Sequence, residues 1–502
     1  MCDTTPLFGE PRRQVVSTEA VQSTLIERNG IDLVPEAERT AKPRDLFWPW
    51  FAANVSVLGM GYGAWILGFG ISFWQATLVA IVGIVFSFFL CGVIAIAGKR
   101  GSVPTMVLSR AAFGVQGQKL PGIISWITSI GWETVLAITA VLATGTVFRQ
   151  LGWSTDGTGG VVVNIVATVV VAALIIGAAV LGYHTIMKLQ SILTWITGIM
   201  TVIFLVLTFG YIDWGTAFSH PDGNLAQMIG ALVFTMTGFG LGWINIAADW
   251  TRYQKRETPG SKIVAWNTFG GSVAPIILVV FGLLLVASNK TVTIAGEEVG
   301  LADAINSDPI GALASILPVW LLFPFLIVAI LTQVSGAVLG IYSSGLTLLS
   351  LGIKIPRPTA AAIDGVILTV GTIAVVFFAQ DFIGPFQTFL TTLGVPLAAW
   401  AGILIADILL RRKDYDTEAL FDGRGRYGSV NWTAIVIFVV AIAVGWGFVV
   451  SSLFTWQGYF LTMFGWLDDW GYANLGVLFA LVIGFIATLV LSKGAVSRQE
   501  LA

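Results

Sequence analysis

Residues 238–244 read GFGLGWI, and residues 59–65 read GMGYGAW. In both, glycines stand on alternate positions ahead of a tryptophan, and the runs are 179 positions apart (238 minus 59). A GxGxG run invites a dinucleotide-loop reading. That fingerprint needs a preceding strand, a helix opening at the glycines and an acidic residue about twenty positions on. The surroundings decide otherwise, because each run lies inside a long apolar stretch.

The 502-residue chain is 56% hydrophobic and only 11% charged, with a mean hydropathy of +0.86. A soluble globular domain of that composition would expose an enormous apolar surface. Stretches of about 20 apolar residues, the length that crosses a hydrocarbon core of about 30 Å, recur at 48–70, 73–97, 121–148, 161–182, 190–211, 226–249, 264–288, 313–349, 360–380, 385–410, 431–455 and 473–492. The chain therefore reads as an all-α integral membrane protein of twelve transmembrane helices.

Basic loops stay on the cytoplasmic side of a membrane. Starting the chain inside and alternating puts 24 of the 26 Lys and Arg residues in segments 1–47, 98–120, 183–189, 250–263, 350–359, 411–430 and 493–502, leaving out only Arg149 and Lys290. The expected location is the plasma (inner) membrane with both termini cytoplasmic. The polar first 47 residues carry no apolar segment with a small-residue cleavage site, so the first span serves as an uncleaved signal, and residues 1–25 read as disordered. Cys2 and Cys91, separated by this topology, have neither disulfide nor metal spacing. Topology accounts for the basic residues, and the net charge is −2; no nucleic-acid partner is implied. The loop TRYQKRETPGSK (251–262) reads as a solvated basic face.

In this layout GMGYG falls in the first span and GFGLG in the sixth, the same place in two successive five-helix sets, 48–212 and 226–410. The remainder is a tail at 1–47, a linker at 411–430, two further helices at 431–492 and a tail at 493–502. Five is odd, so the second set enters from the opposite side, and matched breaks in equivalent helices mark inverted-repeat transporters. Unwound backbone at membrane depth survives only where protein or an internal cavity satisfies it. The expectation is a five-plus-five inverted repeat with discontinuous helices 1 and 6, the glycines supplying the unwound stretches. For either run alone, small-residue helix packing explains the glycines as well.

Glu133 lies twelve residues into the third span, in SWITSIGWETVLAI. An ionisable group at that depth marks a functional site by default, whereas Asp249, Asp364, Asp381 and Asp407 lie within a turn or two of a span end. No Lys or Arg stands at comparable depth, so Glu133 is neutral, hydrated or paired with a ligand; the bland alternative is a protonated carboxyl bonded to a neighbouring helix. Trp132 and Ser129 stand beside it, and the sixth span brings Phe239 and Trp243. Aromatic faces with amide, hydroxyl and carboxylate groups at the edge suit a planar heteroaromatic ring. Asn54 and Ser56 precede the first glycine run. Thr332, Gln333, Ser335 and Gly336 interrupt the apolar eighth span, where hydroxyls and freed carbonyls make a candidate small-cation site.

Together, IERNGIDLVPEAERT, WFAAN, LSRAAFGVQGQKLPG, ADWTRY, IYSSGL and PFQTFLTTLGVPLAAWAGILIADILLRR resemble, in order and spacing, the nucleobase:cation symporter-1 family, the purine/cytosine permeases. The resemblance covers roughly residues 26–430. It implies the inverted repeat with two extra helices, alternating access, and symport of a nucleobase or related ring with Na⁺ or H⁺. By similarity, the helix 3 amide that holds substrate falls on Glu133, a carboxylate that favours donor-rich rings such as cytosine or a purine. The stacking tryptophans fall on Ser129 and Gly240, which leaves Phe239 as the expected stacking face. The cation positions fall on the carbonyls of Ala52, Val55 and Thr332 and the hydroxyl of Ser335, but the second hydroxyl position is Gly336. A lost ligand and a gained membrane carboxylate favour H⁺ over Na⁺, with Glu133 the candidate proton carrier. The start of the tenth span, GPFQTFLTTLG, resembles an outer gate of Phe386, Phe389 and Leu390.

The expected function is import of a nucleobase, cytosine or a purine, by cation symport. The close alternative is the same fold carrying allantoin, hydantoin or a vitamin-like pyrimidine with Na⁺; a passive channel or membrane sensor is remote. The chain carries no nucleophile–base pair or metal cluster at depth, His184 and His220 lying in or next to loops, so it does not read as an enzyme. Beyond the small-molecule substrate, the bilayer and the coupling ion, no cofactor or metal is implied, and a monomer suffices.

Overall fold

A computed structural model describes residues 30–153, 157–179, 183–294, 297–379 and 381–501; the expectations for residues 1–25 and for Cys2 lie outside them. The helices that matter here are α1 (Phe47–Asn54), α2 (Leu58–Leu67), α3 (Phe73–Gly101), α4 (Lys119–Gln150), α5 (Thr158–Ala179), α6 (Tyr183–Thr208), α7 (Leu225–Gly238), α8 (Gly240–Trp243), α9 (Gly260–Ala287), α10 (Val319–Ser350), α11 (Arg357–Phe378), α12 (Ile383–Leu410), α13 (Trp432–Trp446) and α14 (Gly476–Leu491). Among the described residues nine helices are long and apolar enough to cross a bilayer, and counting each of two bent pairs as one span raises this to eleven. The stretch expected as the eleventh span, 431–455, is helical only over the 15 residues of α13. The chain turns at Gly447, where Phe460 packs too close for a Cβ. The loop after α9 also departs from an all-α reading: Thr291–Ile294 and Glu297–Gly300 pair as an antiparallel hairpin. The alternation of β-branched residues in TVTI favours that strand.

Helix starts follow local chemistry. Ser72 opens α3 with a capping box, its Oγ accepting from the Gln75 backbone N–H while Gln75 Oε1 accepts from that of Ser72, and Asn224 and Gln227 do the same for α7. Equivalent members of the two five-helix sets pack on each other, α3 along α9 and α4 along α10. Apolar residues of α5 and α11 such as Val166, Val169, Val366 and Val370 stay exposed, which suits lipid contact.

The segments rich in Lys and Arg gather at one end of the bundle, the basic end. Val34 N–H donates to Ser102 O (3.0 Å) and Ala41 N–H to Tyr253 O (3.2 Å). Arg110 donates to Ser350 O and Leu420 O, and burial brings its guanidinium down to about 10, still charged at neutral pH. Arg411 forks onto both Asp407 oxygens (2.7 and 2.8 Å) and reaches Gln499. The expected solvated loop divides. Thr251, Arg252, Tyr253 and Gln254 are buried, and only from Lys255 onward does the loop open, because Thr251 donates to Ala95 O (2.6 Å) and Arg252 to the Tyr342 hydroxyl (2.9 Å).

Candidate functional site

The first span breaks ahead of its glycines. α1 ends at Asn54, Val55 leaves the helix with φ −82° and ψ 68°, and α2 resumes at Leu58, the two halves bent by 68°. Gly59, Gly61 and Gly63 therefore lie within α2, which corrects the expectation that they unwind it. A Cβ on Gly63 would strike the backbone of Gly282 and Leu283 in α9, so this run serves close helix packing. In the sixth span the glycines do flank the break. α7 ends at Gly238, Phe239 takes φ −117° and ψ −109°, and after the short α8 the chain tightens into a 3-10 stretch, Ile244–Trp250. The freed backbone is satisfied by side chains: Tyr62 donates to Gly238 O (3.2 Å), and Gly240 N–H donates to Ser87 Oγ (3.1 Å).

This break, α4 and α10 converge on a cavity lined by Ser129, Trp132, Glu133, Leu136, Gly242, Trp243, Asn245, Ile246, Gly336 and Gly340. Its volume is about 10 Å³, room for about one water. Glycines let the walls approach this closely: a Cβ on Gly242 would lie 2.8 Å from Trp132 Nε1, and one on Gly340 would lie 2.9 Å from Glu133 Oε1. Glu133 is 1% exposed, and neither of its carboxylate oxygens has a hydrogen-bond partner among the described residues. A buried polar group without a partner costs about 1–3 kcal/mol, and more if charged, so this one calls for an explanation.

Sequence reasoning missed Asn245. Its amide donates to Ser129 Oγ (3.0 Å) and Ser125 Oγ (2.9 Å), and it lines the cavity with Glu133. The signal was an amide side chain two positions after GLGW, at membrane depth. It also passed over Asp364, which is buried and accepts from Trp126 Nε1 (2.9 Å) and Ser344 Oγ (2.6 Å).

Other expected residues stand elsewhere. Phe239, expected to be the stacking face, is directed by its non-helical backbone against Tyr62, ring centroids 4.5 Å apart, and Trp132 and Trp243 line the cavity instead. Gly240 packs on the backbone of Ser87 and Phe88. Asn54 donates back to Trp50 O (2.7 Å). Ser56 donates to Gln333 Oε1 (2.9 Å) and Gln333 Nε2 to Thr139 Oγ1 (2.5 Å), a chain that ties spans one, eight and three together outside the cavity. Phe386 and Phe389 meet Trp132 edge-on at 5.8 and 5.6 Å, and Leu390 is buried on the same helix.

The candidate cation positions lie beside the first break. Ala52 lies in the last turn of α1 before it and Val55 forms it, with Thr332, Ser335 and Gly336 on α10. The Ser335 hydroxyl is already engaged. It donates to Gln190 Oε1 of α6, and Gln190 Nε2 donates back to Ser335 O (2.9 Å). Thr332 Oγ1 donates to its own helix at Val328 O (2.7 Å). Gly336 brings no oxygen: a Cβ there would face Leu136 Cδ1 at 2.9 Å. With one hydroxyl absent and the other held by an amide, these residues fit a Na⁺ cage poorly, since hard cations want several free oxygens. Among the described residues no group of three or more His, Cys, Asp or Glu gathers for a metal.

Residues 33–467 match the family model for permeases of cytosine/purines, uracil, thiamine and allantoin. A Bacillus subtilis protein named as a purine-cytosine permease is 26% identical over 458 residues, covering 88% of this chain and 91% of that one. The cytosine permease of Escherichia coli K12 is 24% identical over 387 residues, 76% of this chain and 80% of its own. Among solved structures, a nucleobase-cation-symport-1 family transporter in a closed conformation with bromovinylhydantoin bound superposes with a TM-score of 0.69 at 19% identity, over 95% of this chain and 99% of that one. The last is a likeness of fold, and a shared fold leaves the cargo to the site.

Proposed function

The chain belongs to the family of permeases for cytosine/purines, uracil, thiamine and allantoin, and from that premise we propose that it imports an amine-bearing nucleobase, cytosine or a purine, by proton symport. The observation that carries this reading is the Glu133 carboxylate, buried on a cavity that Trp132 and Trp243 also line and without a hydrogen-bond partner among the described residues. A carboxyl group accepts from ring N–H and exocyclic amine donors, and keeps an acceptor oxygen when it carries a proton, so a cytosine or purine edge supplies what Glu133 lacks. Trp132 and Trp243 flank the ring, and Asn245, held by Ser125 and Ser129, reads a second edge. The relatives named for purine-cytosine transport fit that cargo.

With the walls in contact, a ring enters only when Trp132 and the covering Phe386 and Phe389 separate. That motion belongs to alternating access, in which one face of the site opens at a time. Glu133 can accept a proton once it faces the side of higher proton concentration and release it on the other. The Gln190–Ser335 pair supports H⁺ rather than Na⁺, since the protein's own amide satisfies a group an ion would need. By the positive-inside rule the basic end faces the cytoplasm.

The test is uptake of labelled cytosine into sodium-free proteoliposomes under an imposed inward proton gradient, with unlabelled purines as competitors. Accumulation that collapses with the gradient is the expected result, and purine competition defines the set of rings. Uptake that appears only on adding Na⁺ would overturn the coupling assignment. No uptake of cytosine or purines under either ion, with allantoin carried instead, would overturn the cargo.

A further inference from the structure

Glu133 has a second buried carboxylate near it. Glu133 presses against Gly340 of α10, and Ser344 lies one turn further along the same face of that helix, toward the basic end. The Ser344 hydroxyl donates to Asp364 Oδ2 of α11 at 2.6 Å. Asp364 Oδ1 accepts from Trp126, which sits two turns before Glu133 on α4, again toward the basic end. Three spans thus converge, carboxyl, hydroxyl and carboxylate in sequence, with Ser344 and Asp364 fully buried. Two turns of α11 separate Asp364 from Arg357, where that helix meets the basic end.

A purely structural carboxylate would explain Asp364 alone, as a pin between Trp126 and Ser344. It would leave unexplained why the hydroxyl it holds lies one turn from Gly340, the residue against which the unpartnered Glu133 carboxyl presses. Resting on the reading of Glu133 as proton carrier, we propose that Asp364 is the second proton site of the transport cycle, reached from Glu133 through Ser344. In the step, the Glu133 O–H bond breaks as its proton passes to Ser344 Oγ, and the Ser344 hydroxyl proton passes to Asp364 Oδ2. Glu133 is left a carboxylate, Ser344 a hydroxyl and Asp364 a carboxylic acid; no proton is gained or lost. The consequence is direction: the proton leaves the substrate site toward the basic end while the ring leaves by its own route.

The test uses the full chain in proteoliposomes with two readouts, accumulation of labelled cytosine driven by a proton gradient, and exchange of labelled for unlabelled cytosine with no gradient. Asp364→Asn is expected to lower driven accumulation at least about ten-fold, in the range lost with a positioned acid–base group, while exchange stays within about two-fold. Asp364→Glu is expected to restore part of the accumulation. Ser344→Ala, the variant that decides if the Asn protein does not fold, is expected to slow accumulation while sparing exchange. Wild-type accumulation in Asp364→Asn or, where that protein does not fold, in Ser344→Ala overturns the relay, and so does loss of exchange together with accumulation in a variant that elutes as folded protein. Failure of the proton carrier reading shows separately, as wild-type protein that ignores the proton gradient.

Discussion

Two polar groups near the centre of this molecule are treated in opposite ways. At Glu133, a carboxylate is enclosed by apolar and aromatic walls and given no donor. At Ser335, where a cation ligand was expected, the hydroxyl and its own backbone carbonyl are both matched by the Gln190 amide. Burial is nearly complete in both places, so solvent does not explain the difference. A buried polar group with a protein partner is finished structure, and one without a partner is an appetite for something that comes and goes. The proposed reading, with ligand and proton at the third span, rests on that contrast.

The strongest way to break the contrast is Glu133→Gln. If the carboxylate receives amine donors and carries the proton, gradient-driven accumulation should fall about 100-fold, while thermal stability in detergent stays level or rises because a buried unpaired acid has gone. Normal accumulation by this variant would mean that the cargo needs no acceptor there. Asp249 sharpens the same point from the other side. It is a buried carboxylate on the sixth span that accepts from the backbone N–H and the hydroxyl of Thr105, both at 2.7 Å. Asp249→Ala should therefore lose about 2–3 kcal/mol of stability, the range for hydrogen bonds to charged groups, read as a lower unfolding temperature. An unchanged unfolding temperature would place Asp249 with Glu133.

The aromatic assignment predicts a smaller effect. Trp132→Ala should weaken cytosine binding about ten-fold, within the range for loss of one stacking face, whereas Phe239→Ala should change it less than about three-fold because that ring lies on Tyr62. Equilibrium binding of labelled base to the purified variants decides it, and a reversed order would return Phe239 to the site.

Composition and charge placement were enough to expose the membrane class and the gathering of basic segments, because hydrocarbon thickness and loop charge act along the chain; the repeat was read from where the two glycine runs fall. Glu133 was legible for the same reason: nothing local explains a carboxylate in the middle of an apolar span. The glycines misled in the first span. Whether GMGYG unwinds or packs depends on what lies opposite, and the backbone of α9 is opposite Gly63. Phe239 was named as the stacking face, but the non-helical backbone at that residue sets its ring against Tyr62, which periodicity along a continuous helix does not report. Asp364 looked like an end-of-span acid, since sequence distance from a span end does not report which hydroxyls the neighbouring helices bring. Gln190 was invisible as a partner of Ser335, 145 positions away.

That last pair carries the smallest and most discriminating prediction. Gln190→Ala removes both hydrogen bonds to Ser335, which, at about 1 kcal/mol per neutral bond less whatever a replacing water recovers, should lower stability only slightly and leave proton-driven uptake within about three-fold. The informative measurement is unfolding temperature with and without Na⁺. In the wild type the amide already holds the Ser335 oxygens, so Na⁺ should change nothing. In the variant the Ser335 oxygens are freed to join the carbonyls of Ala52, Val55 and Thr332, so Na⁺ should recover part of the lost stability, as any ligand that binds only the folded state does. Stabilisation of the wild type by Na⁺ would show that an ion and the amide coexist, and the contrast between the two regions would then no longer decide the coupling ion. Recovery in the variant alone would mean that Gln190 keeps an ion position closed, which leaves Glu133 as the group through which a cation gradient can act on the substrate.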